Sequence, residues 1–210
     1  GAFDHQPEGV ESSADGLRGP LVCLFGSSHA RMLGAPLLEY CEEQGYTFLS
    51  LATSGVGVTE REPNKNRPKA GEINASRYAT VGAIRPEILI VGGRWNTETK
   101  SPTFQMRFLE HLSFLCEHSG RVIVLGQVPL LGVPKENQRD LRGYIRNTGK
   151  RIEDINVKDA GAVREANAIV RKLCAEVAHN NLVFLDPYNL MMGPDGNVRL
   201  FNERNLLYYD

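Results

Sequence analysis

Short apolar runs alternate along the chain with longer stretches in which apolar positions recur every three or four residues. Leu21–Phe25, Tyr46–Ala52, Glu87–Val91, Arg121–Leu125 and Leu182–Leu185 are of strand length. After the first run, Ala30, Leu33, Leu37, Leu38 and Cys41 fall at helical spacing, with Glu39, Glu42 and Glu43 opposite. Pro36 stands where it would kink that helix, and Gly45 ends it. Asn74–Ile84 reads as a short helix stopped before Pro86. Thr103–His118 reads as a helix with Phe104, Phe108, Leu112, Leu115 and Cys116 inward, ended by Gly120. Ala162–His179 is the most regular, with Val163, Ala166, Val170, Leu173, Cys174 and Val177 on one face.

Strands that alternate with amphipathic helices predict an α/β fold, a three-layer sandwich on a mostly parallel five-stranded sheet. Residues 1–20 carry few apolar side chains and read as a linker or tether; 21–210 is the domain. The segment 58–72 reads as a long exposed loop. The segment 126–160 reads as irregular and charged, with a short helix over Gln138–Arg146, and Leu206–Tyr209 as a short apolar piece. In parallel sheets ligands bind beyond the C-terminal strand ends. Three of those ends carry unusual residues: Gly26-Ser27-Ser28, Thr53-Ser54-Gly55 and Gly93-Arg94-Trp95-Asn96.

Charge narrows the partners. With 24 basic and 25 acidic side chains in 210 residues, nothing electrostatic favours nucleic acid. The apolar runs are too short to span a membrane. Neither G-x-G-x-x-G nor G-x-x-x-x-G-K-[ST] follows the first strand, which disfavours a nucleotide-binding domain. Cys23, Cys41, Cys116 and Cys174 have no zinc-ligand spacing, so no metal site is expected. They read as buried thiols, with a Cys41–Cys174 disulfide as the unsupported alternative.

Ser28 carries the first candidate chemistry. It follows a glycine at the end of the first strand, where a helix N-terminus offers free N–H groups to developing negative charge. It is therefore either a nucleophile or part of an ordinary capped turn. Arg61, Lys65, Arg67 and Lys69 either meet an anionic substrate or form a solvated loop. Trp95, the only tryptophan, either stacks on a sugar ring or packs in the core. His29 adjoins Ser28 but on a helix points about 100° away, which suits packing better than base catalysis. Asp186, before Pro187, reads as a turn residue.

Taken in order, G-S-S-H-A at 26–30, the Ser-Gly at 54–55, Arg94-Trp95, Leu185-Asp186-Pro187 and the terminal Leu207-Tyr208-Tyr209-Asp210 form one constellation. The chain resembles the SGNH (GDSL-like) hydrolases from about residue 20 onward. The nearest likeness is the extracytoplasmic SGNH domain fused to membrane acyltransferase-3 proteins, which O-acetylate bacterial cell-surface polysaccharides.

The resemblance implies an SGNH/flavodoxin-like fold and serine-dependent acyl transfer onto a carbohydrate acceptor. Ser28 matches the nucleophile, and Asp210 matches the Asp of a D-x-x-H block whose His is the base. Ser28, Gly55 and Asn96 match the oxyanion hole, with Arg94 and Trp95 near the substrate. The resemblance also implies an acetyl donor, acetyl-CoA acting through a membrane domain, and an extracytoplasmic location; no bound cofactor is expected. Three departures stand out. Ser27 replaces the Asp of G-D-S, Arg94-Trp95 replaces G-x-N-D, and the base His expected three residues after Asp210 is absent, so the domain reads as lacking its C-terminal end. The alternatives are a carbohydrate esterase of the same family, or an inactive SGNH-like module that binds a glycan or partner.

Overall fold

The computed structural model describes residues 19–62, 67–130 and 162–199, Arg146, Gly149 and the strand pairs at 201–202 and 205–206. Five parallel strands, β1 (Leu21–Gly26), β2 (Thr47–Ala52), β3 (Ile88–Gly92), β4 (Arg121–Leu125) and β5 (Leu182–Leu185), stand in the order β2-β1-β3-β4-β5. The predicted α/β sandwich is therefore the observed architecture. Register is continuous across β1, with Gly26 opposite both Ala52 and Gly92. The chain runs outward from β1 to β2 and returns across β1 to β3. That reversal opens a crevice between the ends of β1 and β3, the usual ligand position in such sheets.

Alternate residues of each strand serve opposite layers. Cys23, Phe25, Leu89, Val91, Val122 and Val124 pack under α3 (Ala70–Ile84), α5 (Phe104–Glu117) and α6 (Val163–Val177). Val22, Leu24, Phe48 and Ala52 pack under α2 (Gly34–Gln44) and Ala30 of α1 (Ser28–Arg31). The inward faces read for 103–118 and 162–179 form the first layer, and Val177 packs at its edge. All four cysteines are free and buried. Cys41 and Cys174 belong to opposite layers of the sheet, so no disulfide joins them.

The single kinked helix expected after β1 is two helices. Pro36 lacks an N–H for the Met32 carbonyl and its ring crowds that carbonyl, so it is accommodated only in a first turn. A new helix accordingly starts at Gly34. The helix expected from Asn74 begins four residues earlier, at Ala70. The segment expected as an exposed loop is partly core: Val58 is fully buried and Thr59 nearly so, and Val56 just before it is fully buried as well. A further helix, α4 (Trp95–Glu98), follows β3. A 3-10 turn covers Tyr188–Met191, and β6 (Phe201–Asn202) pairs with β7 (Asn205–Leu206) as an antiparallel ladder. The expected tether lies outside the described residues except for Gly19 and Pro20, the helix expected over Gln138–Arg146 does so except for Arg146, and Lys65 and Asp210 lie outside them.

Candidate active site

The turn after β1 is built from backbone. Gly26 has φ +146°, a conformation open to glycine, and a Cβ there would collide with the Gly92 carbonyl and with Ala30. Ser27 N–H donates to the Gly92 carbonyl at 3.1 Å, which joins the ends of β1 and β3. Thr53 N–H donates to the Gly26 carbonyl at 2.9 Å, which joins the ends of β1 and β2. Ser28 is thereby placed as the first residue of α1, half-buried at the crevice.

A cleft of about 520 Å³ opens there, walled by Ser27 and Ser28 on one side, Gly55–Gly57 on another and Arg94 with Glu98 on a third. Three of the predicted site residues, Ser28, Gly55 and Arg94, thus share one cavity although they come from three different strand ends. Ser27 also lines it with only 5% of the residue exposed, and its buried Oγ has no hydrogen-bond partner among the described residues.

Trp95, expected near the substrate, and Asn96, expected at the oxyanion hole, are not among the residues that line the cleft. α4 begins at Trp95 and turns its ring inward, where none of it reaches solvent. Its Nε1 donates to the Leu125 carbonyl at 2.7 Å, and it meets Phe108 edge-on at 5.6 Å. No ring face is left for a sugar. Asn96 is held by its N–H, which donates to Gln127 Oε1 at 3.0 Å. Gln127 is bracketed in turn by Asn167, whose amide also donates to Asp186 Oδ1 at 3.0 Å. Asp186 accepts Tyr188 N–H at 3.1 Å and pairs with Arg171 at 2.9 Å, so it braces the turn after β5.

Among the described residues no histidine lines the cleft. Burial and the neighbouring Arg94 both lower the pKa of His29, which favours its neutral form, and its Nδ1 has no partner among the described residues. His111 sits instead in a second cleft of about 410 Å³ between α3 and α5. Of the basic loop residues, Arg61 pairs with Glu110 at 2.7 Å, and Arg67 Nε donates to the Ser54 carbonyl at 3.1 Å. Both arginines are thus engaged with the protein itself. No three His, Cys, Asp or Glu side chains among the described residues are gathered to hold a metal ion.

Two functional groups escape the sequence reading. Arg77 is buried inside α3 behind the cleft. Its Nη1 donates to the carbonyls of Gly26 (2.6 Å) and Leu51 (3.1 Å), and its Nη2 donates to Gly57 O (3.4 Å) and to Asn74 Oδ1. Burial lowers its pKa to about 10, so it remains a cation at neutral pH. Glu98, at the end of α4, accepts Val58 N–H at 2.9 Å on Oε2 and Arg94 N–H at 3.0 Å on Oε1. Burial raises its carboxyl to about 7, against the pull of those two N–H groups and of Arg77. A sequence signal exists for both. Asn74, Arg77 and Tyr78 share one face of a helix at i, i+3 and i+4, and Glu98 stands one turn beyond Arg94.

No curated protein matches the chain. Among solved structures, the periplasmic domain of a lipopolysaccharide acetyltransferase from Salmonella ser. Paratyphi A superposes with a TM-score of 0.66 at 13% identity. The match covers 90% of this chain and 73% of that one, and at that identity it is a likeness of fold. A family model described as "SGNH domain (fused to AT3 domains)" matches residues 3–210. A match over nearly the whole sequence places the chain in that family: it is an SGNH domain of the kind fused to AT3 domains.

Proposed function

We propose that this domain catalyses serine-dependent acyl transfer, with Ser28 as nucleophile, and that its product is an O-acetylated bacterial cell-surface polysaccharide. The observation that carries the reading is the shared cleft of Ser28, Gly55 and Arg94 at the crevice between β1 and β3. Ser28 Oγ attacks the acetyl carbonyl, the carbonyl pair moves to oxygen, and the donor's leaving group departs to give an acetyl-serine. A sugar hydroxyl then attacks that ester, and the serine is regenerated. The developing oxyanion is met by Ser28 N–H, which opens α1. In the family's arrangement the proton passes to the histidine of a D-x-x-H block, held in the correct tautomer by the Asp that Asp210 matches. The acetyl group is delivered from acetyl-CoA through the AT3 partner, on the extracytoplasmic side.

An esterase uses the same acyl-enzyme with water as acceptor. The inactive binding-module reading draws support from Ser27 in the G-D-S block and from the absence of a histidine on the described cleft wall. The full-length protein assayed with p-nitrophenyl acetate, with and without acceptor glycan, separates the three. Loss of hydrolysis in Ser28→Ala and a glycan-dependent acetylated product support transfer. Undiminished turnover in Ser28→Ala overturns the nucleophile.

A further inference from the structure

A single carboxylate spans two walls of the cleft. Glu98 Oε2 holds Val58 N–H of the segment after β2, and Glu98 Oε1 holds Arg94 N–H at the start of its own helix. The carboxyl lies where Gly57 has no side chain: a Cβ there would stand 3.0 Å from Oε2 and 3.1 Å from Cδ. The rest of that segment is tied from behind by α3. Asn74 Nδ2 donates to the carbonyls of Gly57 (2.8 Å) and Glu60 (2.6 Å), and Tyr78 Oη donates to Val58 O at 3.1 Å. Gly57 N–H donates to Glu60 Oε2 at 3.0 Å. On the α4 side Glu98 alone makes the connection among these bonds.

We propose that Glu98 is a positioning residue for acyl transfer: its ionised carboxylate clamps the Gly55–Val58 wall to the Arg94 wall, and protonation releases the clamp. An ionised carboxylate offers lone pairs from both oxygens, so both N–H groups are fully met. A carboxylic acid turns one oxygen into an O–H donor and weakens its acceptance. The titratable groups acting on Glu98 are Arg77 and Tyr78 from α3 and Glu60 from the segment after β2; Arg94, Glu62 and Arg107 share the cleft. Arg77 favours the charged form, while burial and Glu60 oppose it, which places the switch near neutral pH. The catalytic consequence rests on the acyl-transfer reading; the clamp itself does not.

The test follows the backbone amides of Val58 and Arg94 by 15N–1H NMR of the 210-residue chain between pH 5 and 9. Both signals are expected to titrate together with one midpoint in the wild type and in Ser28→Ala, and to be flat in Glu98→Gln. Amides that stay still in the wild type, move with different midpoints, or titrate unchanged in Glu98→Gln overturn the clamp. In the full-length enzyme, Glu98→Gln is expected to lower kcat about 10- to 100-fold, the scale of a displaced reacting group, with KM for a small acetyl ester little changed. An unchanged kcat in Glu98→Gln, while Ser28→Ala is dead, overturns the positioning role and leaves the nucleophile intact. Full activity in Ser28→Ala overturns the acyl-transfer reading, and the amide titration still decides the clamp.

Discussion

The Arg77 guanidinium donates to the Gly26 carbonyl at 2.6 Å, so the strand end that presents Ser28 is fixed from a helix 51 residues further along the chain. The same carbonyl receives Thr53 N–H, and the same nitrogen of Arg77 reaches Leu51 O. One buried cation therefore sets the relative height of β1 and β2 at the mouth. It also lies over the Phe25 ring at 4.6 Å, which offsets part of its lost hydration.

Arg77→Met fills similar volume but leaves carbonyls of Gly26, Leu51 and Gly57 without that donor. Thr53 N–H still meets Gly26 O and Asn74 Nδ2 still meets Gly57 O, so at most one buried carbonyl is left unmet, and a loss of about 1–3 kcal/mol is expected. Arg77→Lys recovers only part, because an ammonium on a single stem cannot span the fork. Urea midpoints for the two variants, with m unchanged, check the order wild type, Lys, Met.

The five strands were legible because each is an apolar run of the right length between turn residues, and α5 and α6 because their buried faces keep a helical period. The mouth was legible because its serines and glycines interrupt those runs. Trp95 was not. It follows a strand end by three residues and so reads as a mouth residue, yet a four-residue helix, too short to show a period, swings it into the core. Arg77 was missed for a related reason. A charged residue on a helix ordinarily faces water, and only the carbonyls converging from two strand ends make its burial tolerable. Glu98 is a lone carboxylate in sequence, and its partner Val58 lies 40 residues away.

The core position of Trp95 has a spectroscopic consequence, since it is the only tryptophan in the chain. Its emission is expected to be blue-shifted and protected from iodide in the folded protein, and unmoved by saturating acceptor glycan. Trp95→Phe removes the Nε1–Leu125 bond and part of a packed ring, with an expected cost of about 2–3 kcal/mol. A glycan-dependent quench with unchanged stability in Trp95→Phe would instead place the ring at the substrate.

Glu98 also marks the stability profile. Its carboxyl rises from an ordinary 4.5 to about 7 on folding because it is buried. Between those values the folded chain holds a proton that the unfolded chain has released, so this group makes stability fall as pH rises through the window. Glu98→Gln removes that contribution. The variant is therefore expected to gain stability relative to wild type as pH goes from 4 to 8, measured by urea unfolding at each pH. A constant offset across the range contradicts the assignment.

His111 acts in the opposite sense over an overlapping window. Its Nε2 accepts Arg61 Nε at 3.1 Å, which a neutral ring can do and an imidazolium cannot. Its ring also stacks obliquely on Tyr78 at 4.3 Å. Burial, with Arg61 and Arg107 beside it and Glu110 opposing, lowers its pKa from 6.5 to about 4. Between 4 and 6.5 the unfolded chain binds the extra proton, so this group makes stability rise with pH. The wild type is thus expected to show a shallow profile between pH 4.5 and 6.5, where the two slopes overlap and oppose. His111→Gln keeps an acceptor for Arg61 but does not titrate, and it uncovers the falling slope of Glu98. Glu98→Gln uncovers the rising slope of His111. The double variant is expected to return near the wild-type shape, because neither charge is among those that shift the other, although Tyr78 lies beside both. A double variant that keeps either slope assigns that slope to a different group.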